Sequence, residues 1–172
     1  RERFEKVSGQ WESASHGNFV ELNQGGTDYA WRLKTEGQTE YRFDSALHLT
    51  EIQARTGQTI HLEYQGDNLT RIIDTANRII TLSYTDNLLT QVNMPVSRNF
   101  RFEYTSDGFL KKVTDMRGNY HRFVYRMHNG RMMLGEIYGA NVSEDSNERP
   151  LLQVVYDDQY RVTEQHTAHT LL

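Results

Sequence analysis

An aromatic residue returns along this chain every 20 or 21 positions: Phe43, Tyr64, Tyr84, Tyr104 and Tyr125. The next in phase, Tyr156, follows after 31. Around each aromatic the pattern reads h-x-h-x-Tyr, a short polar turn, then Leu-x-x-(Ile/Val). The copies are "TIHLEY…LTRI", "IITLSY…LTQV", "NFRFEY…LKKV" and "HRFVY", closed by "LQVVYDDQYRVTEQ". Three apolar anchors held in phase over four copies require a repeated supersecondary unit, which excludes most single-core folds.

Each copy alternates with period two. Ile60, Leu62 and Tyr64 interleave with His61 and Glu63, and Phe100, Phe102 and Tyr104 with Arg101 and Glu103. That is the mark of a strand with one buried and one wetter face. Turn formers follow: Gly66-Asp67-Asn68, Asp86-Asn87, Asp107-Gly108 and Asp157-Asp158. In the second half-unit, Leu69 to Ile72 or Leu110 to Val113, the anchors lie three apart, which predicts a bulge or sharp twist. Asp74, Asp115, Gly57 and Gly118 mark a second turn. Twenty residues thus make two strands and two turns, a β-hairpin. No stretch has helical period, and Pro95 and Pro150 are the only prolines.

The expected fold is all-β: antiparallel hairpins of about 20 residues forming a curved sheet or partial β-shell. Residues 1–30 read as an irregular β lead-in, 31–165 as the repeat region and 166–172 as a frayed tail. The expected repeat core is Phe43, Leu62, Tyr64, Leu69, Ile72, Leu82, Tyr84, Leu89, Val92, Phe102, Tyr104, Leu110, Val113, Phe123, Tyr125, Tyr156 and Val162. Leu62, Tyr64, Leu82, Tyr84, Phe102, Tyr104, Phe123 and Tyr125 should share one face and be mostly buried. Glu63, Ser83, Arg101 and Glu103 should be far more exposed.

Composition narrows the function classes. Lys and Arg number 19 against 23 Asp and Glu, a formal charge of −4 over 172 residues, with no basic block to suggest nucleic-acid binding. Hydrophobic content is 37%, which suits half-wet sheets better than a thick helical core. There is no Cys, so disulfides, zinc-thiolate sites and thiol nucleophiles are excluded. No apolar run approaches the ~18 residues of a membrane helix. The opening "RERFEKVSGQ", without Met or a signal-peptide pattern, reads as an excised or processed fragment.

Local motifs carry little chemistry. His166 and His169 with Asp157 and Asp158 supply too few fixed ligands for a closed metal site. "SASHG" (Ser13 to Gly17) has no nucleophile elbow, and "QGG" (Gln24 to Gly26) lacks a phosphate-cradle pattern. Asn68-Leu69-Thr70 and Asn141-Val142-Ser143 are glycosylation sequons, meaningful only in a eukaryotic secreted protein. Glu144 and Asp145 sit in "GANVSEDSNERP", which reads as a solvated surface insertion of about ten residues and accounts for the 31-residue period. The evenly spread tyrosines read as a packing layer rather than a sugar platform. No catalytic residue, cofactor or metal site is expected.

The unit resembles the YD repeat of Rhs-type proteins, a Tyr-Asp, a Gly, a Leu/Val-Thr stretch and an Asp-x-x-Gly. "YDDQYRVTEQ" (Tyr156 to Gln165) is similar to that motif with Tyr160 where Gly is usual. "LTRIIDTANR" (Leu69 to Arg78) is similar to its downstream half with Asn77 for Gly, and "GFLKKVTDMRGNYHRFVY" (Gly108 to Tyr125) matches it best. Several copies replace the Asp of the Tyr-Asp pair, with Gln65, Thr85, Thr105 and Arg126. This argues against a function residing in that Asp.

The resemblance implies a hollow β-shell enclosing a C-terminal toxin in bacterial secreted or contact-dependent competition systems, and more distantly the extracellular barrel of teneurins. This chain would be an arc of non-enzymatic wall, secreted or at the bacterial cell surface. Its partners would be the rest of the shell and the enclosed C-terminal domain, with no nucleic acid and no membrane segment. The self-cleavage motif of such proteins, Asp-Pro-x-Gly-Leu, is absent. An arc has open sheet edges, so self-association through them is expected. The alternative is an extracellular adhesive or carbohydrate-binding module, with Trp11, Tyr29 and Trp31 as candidate contact residues.

Overall fold

The computed structural model describes residues 4–13 and 17–167. These residues form sixteen strands and no helix. The strands are β1 (Phe4–Val7), β2 (Gln10–Ser13), β3 (Gly17–Gln24), β4 (Trp31–Lys34), β5 (Glu40–Phe43), β6 (Leu49–Gln53), β7 (Thr59–Gln65) and β8 (Asn68–Ile73). They continue as β9 (Ile79–Thr85), β10 (Leu88–Met94), β11 (Arg98–Tyr104), β12 (Leu110–Thr114), β13 (Tyr120–His128), β14 (Arg131–Tyr138), β15 (Leu152–Tyr156) and β16 (Val162–Thr167). Two compact units divide within β9, after Leu82. In each, strand order is chain order and the pairing is antiparallel. The all-β hairpin architecture is therefore as the period predicts. Of the 166–172 tail, residues 168–172 lie outside the described set, as do Ser15 and His16 of "SASHG" and His169.

The turns follow from their residues. Three two-residue loops carry positive φ at both positions, Ser8-Gly9, Asp86-Asn87 and Asn129-Gly130, whereas Gly66-Asp67 does so at its glycine alone. The longer turns at 35–39, 44–48, 54–58, 74–78, 105–109, 115–119 and 157–161 share one frame. The first residue's N–H donates to the fifth's carbonyl, and the fourth's N–H donates back to the first's carbonyl. The fourth position is left-handed in all seven, whether Gln38, Leu47, Gly57, Asn77, Gly108, Gly118 or Tyr160. Four of the seven are not Gly; among them Tyr160 and Asn77, which stand where the motif usually has Gly, take that backbone shape at φ 62° and 59°.

The two faces sort as the alternation predicts, but their burial differs from expectation. Glu63, Ser83, Arg101 and Glu103 are exposed, while Leu62, Tyr64, Leu82, Tyr84, Phe102, Tyr104, Phe123 and Tyr125 are half-buried rather than mostly buried. No described side chain falls below 2% exposure, and Val142 alone forms the buried hydrophobic set, at 6%. Period two identifies which face is apolar; full burial also needs a second layer, and among the described residues neither unit has one. The rings and aliphatic chains instead shield each other edge to edge along the sheet.

Candidate functional site: the repeat hairpin and its docked loop

The hairpin β7–β8 shows how the repeat is built. Leu62 faces Ile72 and Glu63 faces Arg71, but Tyr64 faces Leu69, so Thr70 has no opposite number. That extra residue is the bulge predicted by the three-residue anchor spacing. The same slip recurs immediately before Phe43, Tyr104, Tyr125 and Tyr156. A bulge leaves ladder groups unpaired, and here the Thr side chain answers for one of them. Thr70 donates its hydroxyl to the Glu63 carbonyl at 3.1 Å, and Thr50, Thr90 and Thr163 do the same to Arg42, Ser83 and Val155 at 3.2, 3.1 and 3.3 Å. The Leu-Thr of the motif is thus a packing residue followed by a bulge cap. Lys111 and Gly135 hold the bulge position elsewhere. At Gly135 the Arg126 side chain lies where a Cβ would point, at 3.2 Å.

Between most consecutive hairpins, at what we term junctions, the ladder is shorter. β6 and β7 pair over three positions and β12 and β13 over three, in both cases at the end away from the repeat aromatic. Between β10 and β11 the register stops at Gln91 opposite Arg101. Beyond that point the Tyr104 hydroxyl donates to the Leu89 carbonyl at 2.7 Å. At the β14–β15 junction, which pairs over two positions, the Tyr156 hydroxyl donates to the Leu134 carbonyl at 2.9 Å. Tyr104 and Tyr156 therefore fill the gap where the strands part, and each satisfies a carbonyl the ladder leaves over. Rings also stack across junctions: His48 lies flat on Tyr64 at 4.5 Å, and Phe109 tilts on Tyr125 at 4.9 Å.

Four aspartates cap turns. Oδ1 of Asp44, Asp74, Asp115 and Asp157 accepts two backbone N–H groups at 2.8–2.9 Å, two and four residues on. The fourth-residue N–H, from His48, Arg78 or Arg161, is the main cause holding Asp44, Asp74 and Asp157 below the ordinary 3.8. At Asp115 partial desolvation opposes the bonds from Arg117 and Asn119, which win. The Asp of the Tyr-Asp pair is thus a turn cap, which explains its replacement wherever the hairpin closes with a two-residue loop.

All of the expected repeat-core residues except Val162 are half-buried; Val162, on β16, is 49% exposed. They meet pairwise, as Leu62 with Ile72, Phe102 with Val113, Tyr104 with Leu110 and Tyr156 with Val162, not around a common point. On the opposite face of the first unit Arg42 contacts Glu51 at 2.7 Å and Arg71 contacts Glu63 at 2.6 Å. Trp11 and Trp31 pair at 6.0 Å, tilted by 56°, while the Tyr29 ring covers Gly26 so closely that a Cβ there would overlap it. The three candidate sugar-stacking rings therefore do not form one flat platform. Among the described residues no group of three or more His, Asp or Glu gathers as metal ligands, and His166 contacts Glu164 at 2.9 Å.

The residues that the sequence reading missed form a polar knot on β13 and β14. Glu136 is 7% exposed; it accepts from Arg126 Nη2 at 2.7 Å and from the Tyr138 hydroxyl at 3.1 Å. Partial burial, then the bond to Glu136, raises the Tyr138 phenol above its ordinary value. Arg122, at 9%, lies on the Tyr138 ring at 4.2 Å and donates to the carbonyls of Val142 and Ser143. The insertion after β14, expected to be solvated, docks by its first part. Asn141 donates its N–H to the Tyr120 carbonyl at 2.9 Å and accepts from the Tyr120 N–H through Oδ1, while Lys111 contacts Glu144 at 2.7 Å. The alternation Arg122-x-Val124-x-Arg126 against Glu136-x-Tyr138 was the available signal. No helix of the described residues is long and apolar enough to cross a membrane. Neither a protein-family model nor a curated protein matches the chain.

Proposed function

We propose that this chain is structural: a segment of repeat-built wall of the YD type, part of a shell around a C-terminal toxin domain in a bacterial secreted or contact-dependent competition system. The observation that carries the reading is the recurrence of one hairpin device, a bulge before the aromatic, at Phe43, Tyr64, Tyr104, Tyr125 and Tyr156. Side chains are spent on closing turns, bulges and junctions, and the expected core residues are spread along the sheet instead of converging. Such a chain builds surface and performs no catalysis. Its partners are the neighbouring repeats and the enclosed domain; nucleic acid is not among them, and the location is secreted or cell-surface.

Limited proteolysis of the parent polypeptide tests this. The domain following the repeats should resist protease while the wall is folded and become cleavable when mild denaturant opens it. Equal cleavage in both states would overturn the reading. Saturable, sugar-specific signals on a glycan array would instead favour the adhesive module.

A further inference from the structure

The docked loop leaves one charge without a direct ion pair. On the polar side of β12 and β13, Lys112 meets Glu103 at 2.9 Å and Lys111 meets Glu144 at 2.7 Å. Arg122 is nine-tenths buried beside them, directly opposite Lys112, and no carboxylate lies within ion-pair distance of it among the described residues. Its Nε and Nη2 donate to loop carbonyls at 3.4 and 3.2 Å, and Nη1 donates to no described protein group. Arg122 lines a hollow of about 230 Å³, with Lys111, Thr105 and Glu144 as its polar lining and Phe123, Tyr125 and Met132 among its less polar walls.

A guanidinium withdrawn from most of its water with no carboxylate in direct contact is under-compensated, and binding an anion relieves it. Carboxylates match the guanidinium's planar donors. We propose that this hollow binds a small carboxylate carried on an apolar body, held by Arg122 and Lys111, with Glu144 acting as the loop's own competitor for Lys111. The Lys111 contact first, then the more distant charges of Arg122 and Lys112, keep the Glu144 carboxyl below its usual range, as expected of a group at the edge of a cationic slot. A more highly charged phosphate would meet Glu144 and the ring walls less favourably than a monoanion with an aromatic or aliphatic body.

The test is titration of the whole chain with benzoate, followed by NMR of the Arg122 and Lys111 side-chain nitrogens, with inorganic phosphate and chloride at matched ionic strength. Saturable shifts with benzoate are expected. Glu144→Gln should tighten binding about tenfold by removing a like charge from the slot, and Lys111→Met should weaken it by a similar factor. Lys111 is only half-buried, its side chain 43% exposed, so an unchanged thermal midpoint separates loss of binding from loss of fold. Absence of saturation in both the parent chain and Glu144→Gln would overturn the proposal. So would equal shifts with chloride, or phosphate binding more tightly than benzoate.

Discussion

The interior of a hairpin and the junction between two hairpins use the same residues differently. β7 and β8 pair over five positions from His61–Ile73 to Gln65–Asn68, with one bulge capped by a threonine hydroxyl. β6 and β7 pair over three, and β14 and β15 over two. Inside the hairpin, backbone satisfies backbone apart from the capped bulge; at the junction, tyrosine hydroxyls and stacked rings take over, while turn carboxylates serve both. The hairpin is the self-sufficient piece and the junction the conditional one.

Acid should produce the largest effect, because four turns respond together. Asp44 and Asp157 close hairpins, whereas Asp74 and Asp115 close junctions. All four carboxyls are depressed in the folded chain below the ordinary 3.8. Their contribution is therefore complete above that value and is lost as pH falls through the lower folded values. The thermal midpoint should be flat from pH 7 to 5 and fall steeply below about 4. Asp74→Asn with Asp115→Asn should flatten that fall if junctions open first; an equal flattening from the Asp44 and Asp157 pair would erase the distinction.

Ile72→Ala removes a side chain that faces Leu62 within the hairpin and Ile80 across the next junction. It should cost about 2 kcal/mol by chemical denaturation, the low end for such changes because the site is only half-buried. Tyr104→Phe and Tyr156→Phe delete only the junction hydroxyls and should each cost about 1 kcal/mol. Thr70→Val deletes the hairpin's bulge cap and should cost about 0.5 kcal/mol, since water can reach that carbonyl. A threonine loss larger than the tyrosine losses would reverse the ranking of the two regions. The smallest change should be a gain. Val96 is β-branched, 86% exposed and at φ 66° in a junction turn. Val96→Gly should stabilise by a few tenths to about 1 kcal/mol, the relieved left-handed strain being partly offset by glycine's freedom in the unfolded chain.

The legible part of this architecture was what repeats in sequence. The anchors of Leu62, Tyr64, Leu69 and Ile72 disclosed strands, turns and even the bulge, because two-residue spacing on one strand must meet three-residue spacing on the other. Burial was overread, since alternation at Glu63 and Tyr64 names a face and is silent on what covers it. The tyrosine hydroxyls were illegible because their partners, such as Leu89 for Tyr104, lie 15 residues away and are backbone. The docking of Asn141 and Val142 was hidden inside a polar run whose composition resembled solvent-exposed loop. The knot of Arg122, Glu136 and Tyr138 left a trace in the period of β13 and β14, but long polar side chains on a wet face carry no signature of mutual burial.

The short ladder at most junctions also limits how such a chain can change length. Adding one strand would reverse the direction of everything after it and exchange one set of turns for the other. Adding a complete hairpin of about 20 residues preserves direction, phase and face, and asks only that one brief junction be remade. Growth is therefore quantised, and any other increment must be lodged in a turn, outside the count. The segment between β14 and β15 is such a lodging: its additional residues leave β15 in step with the strands before it.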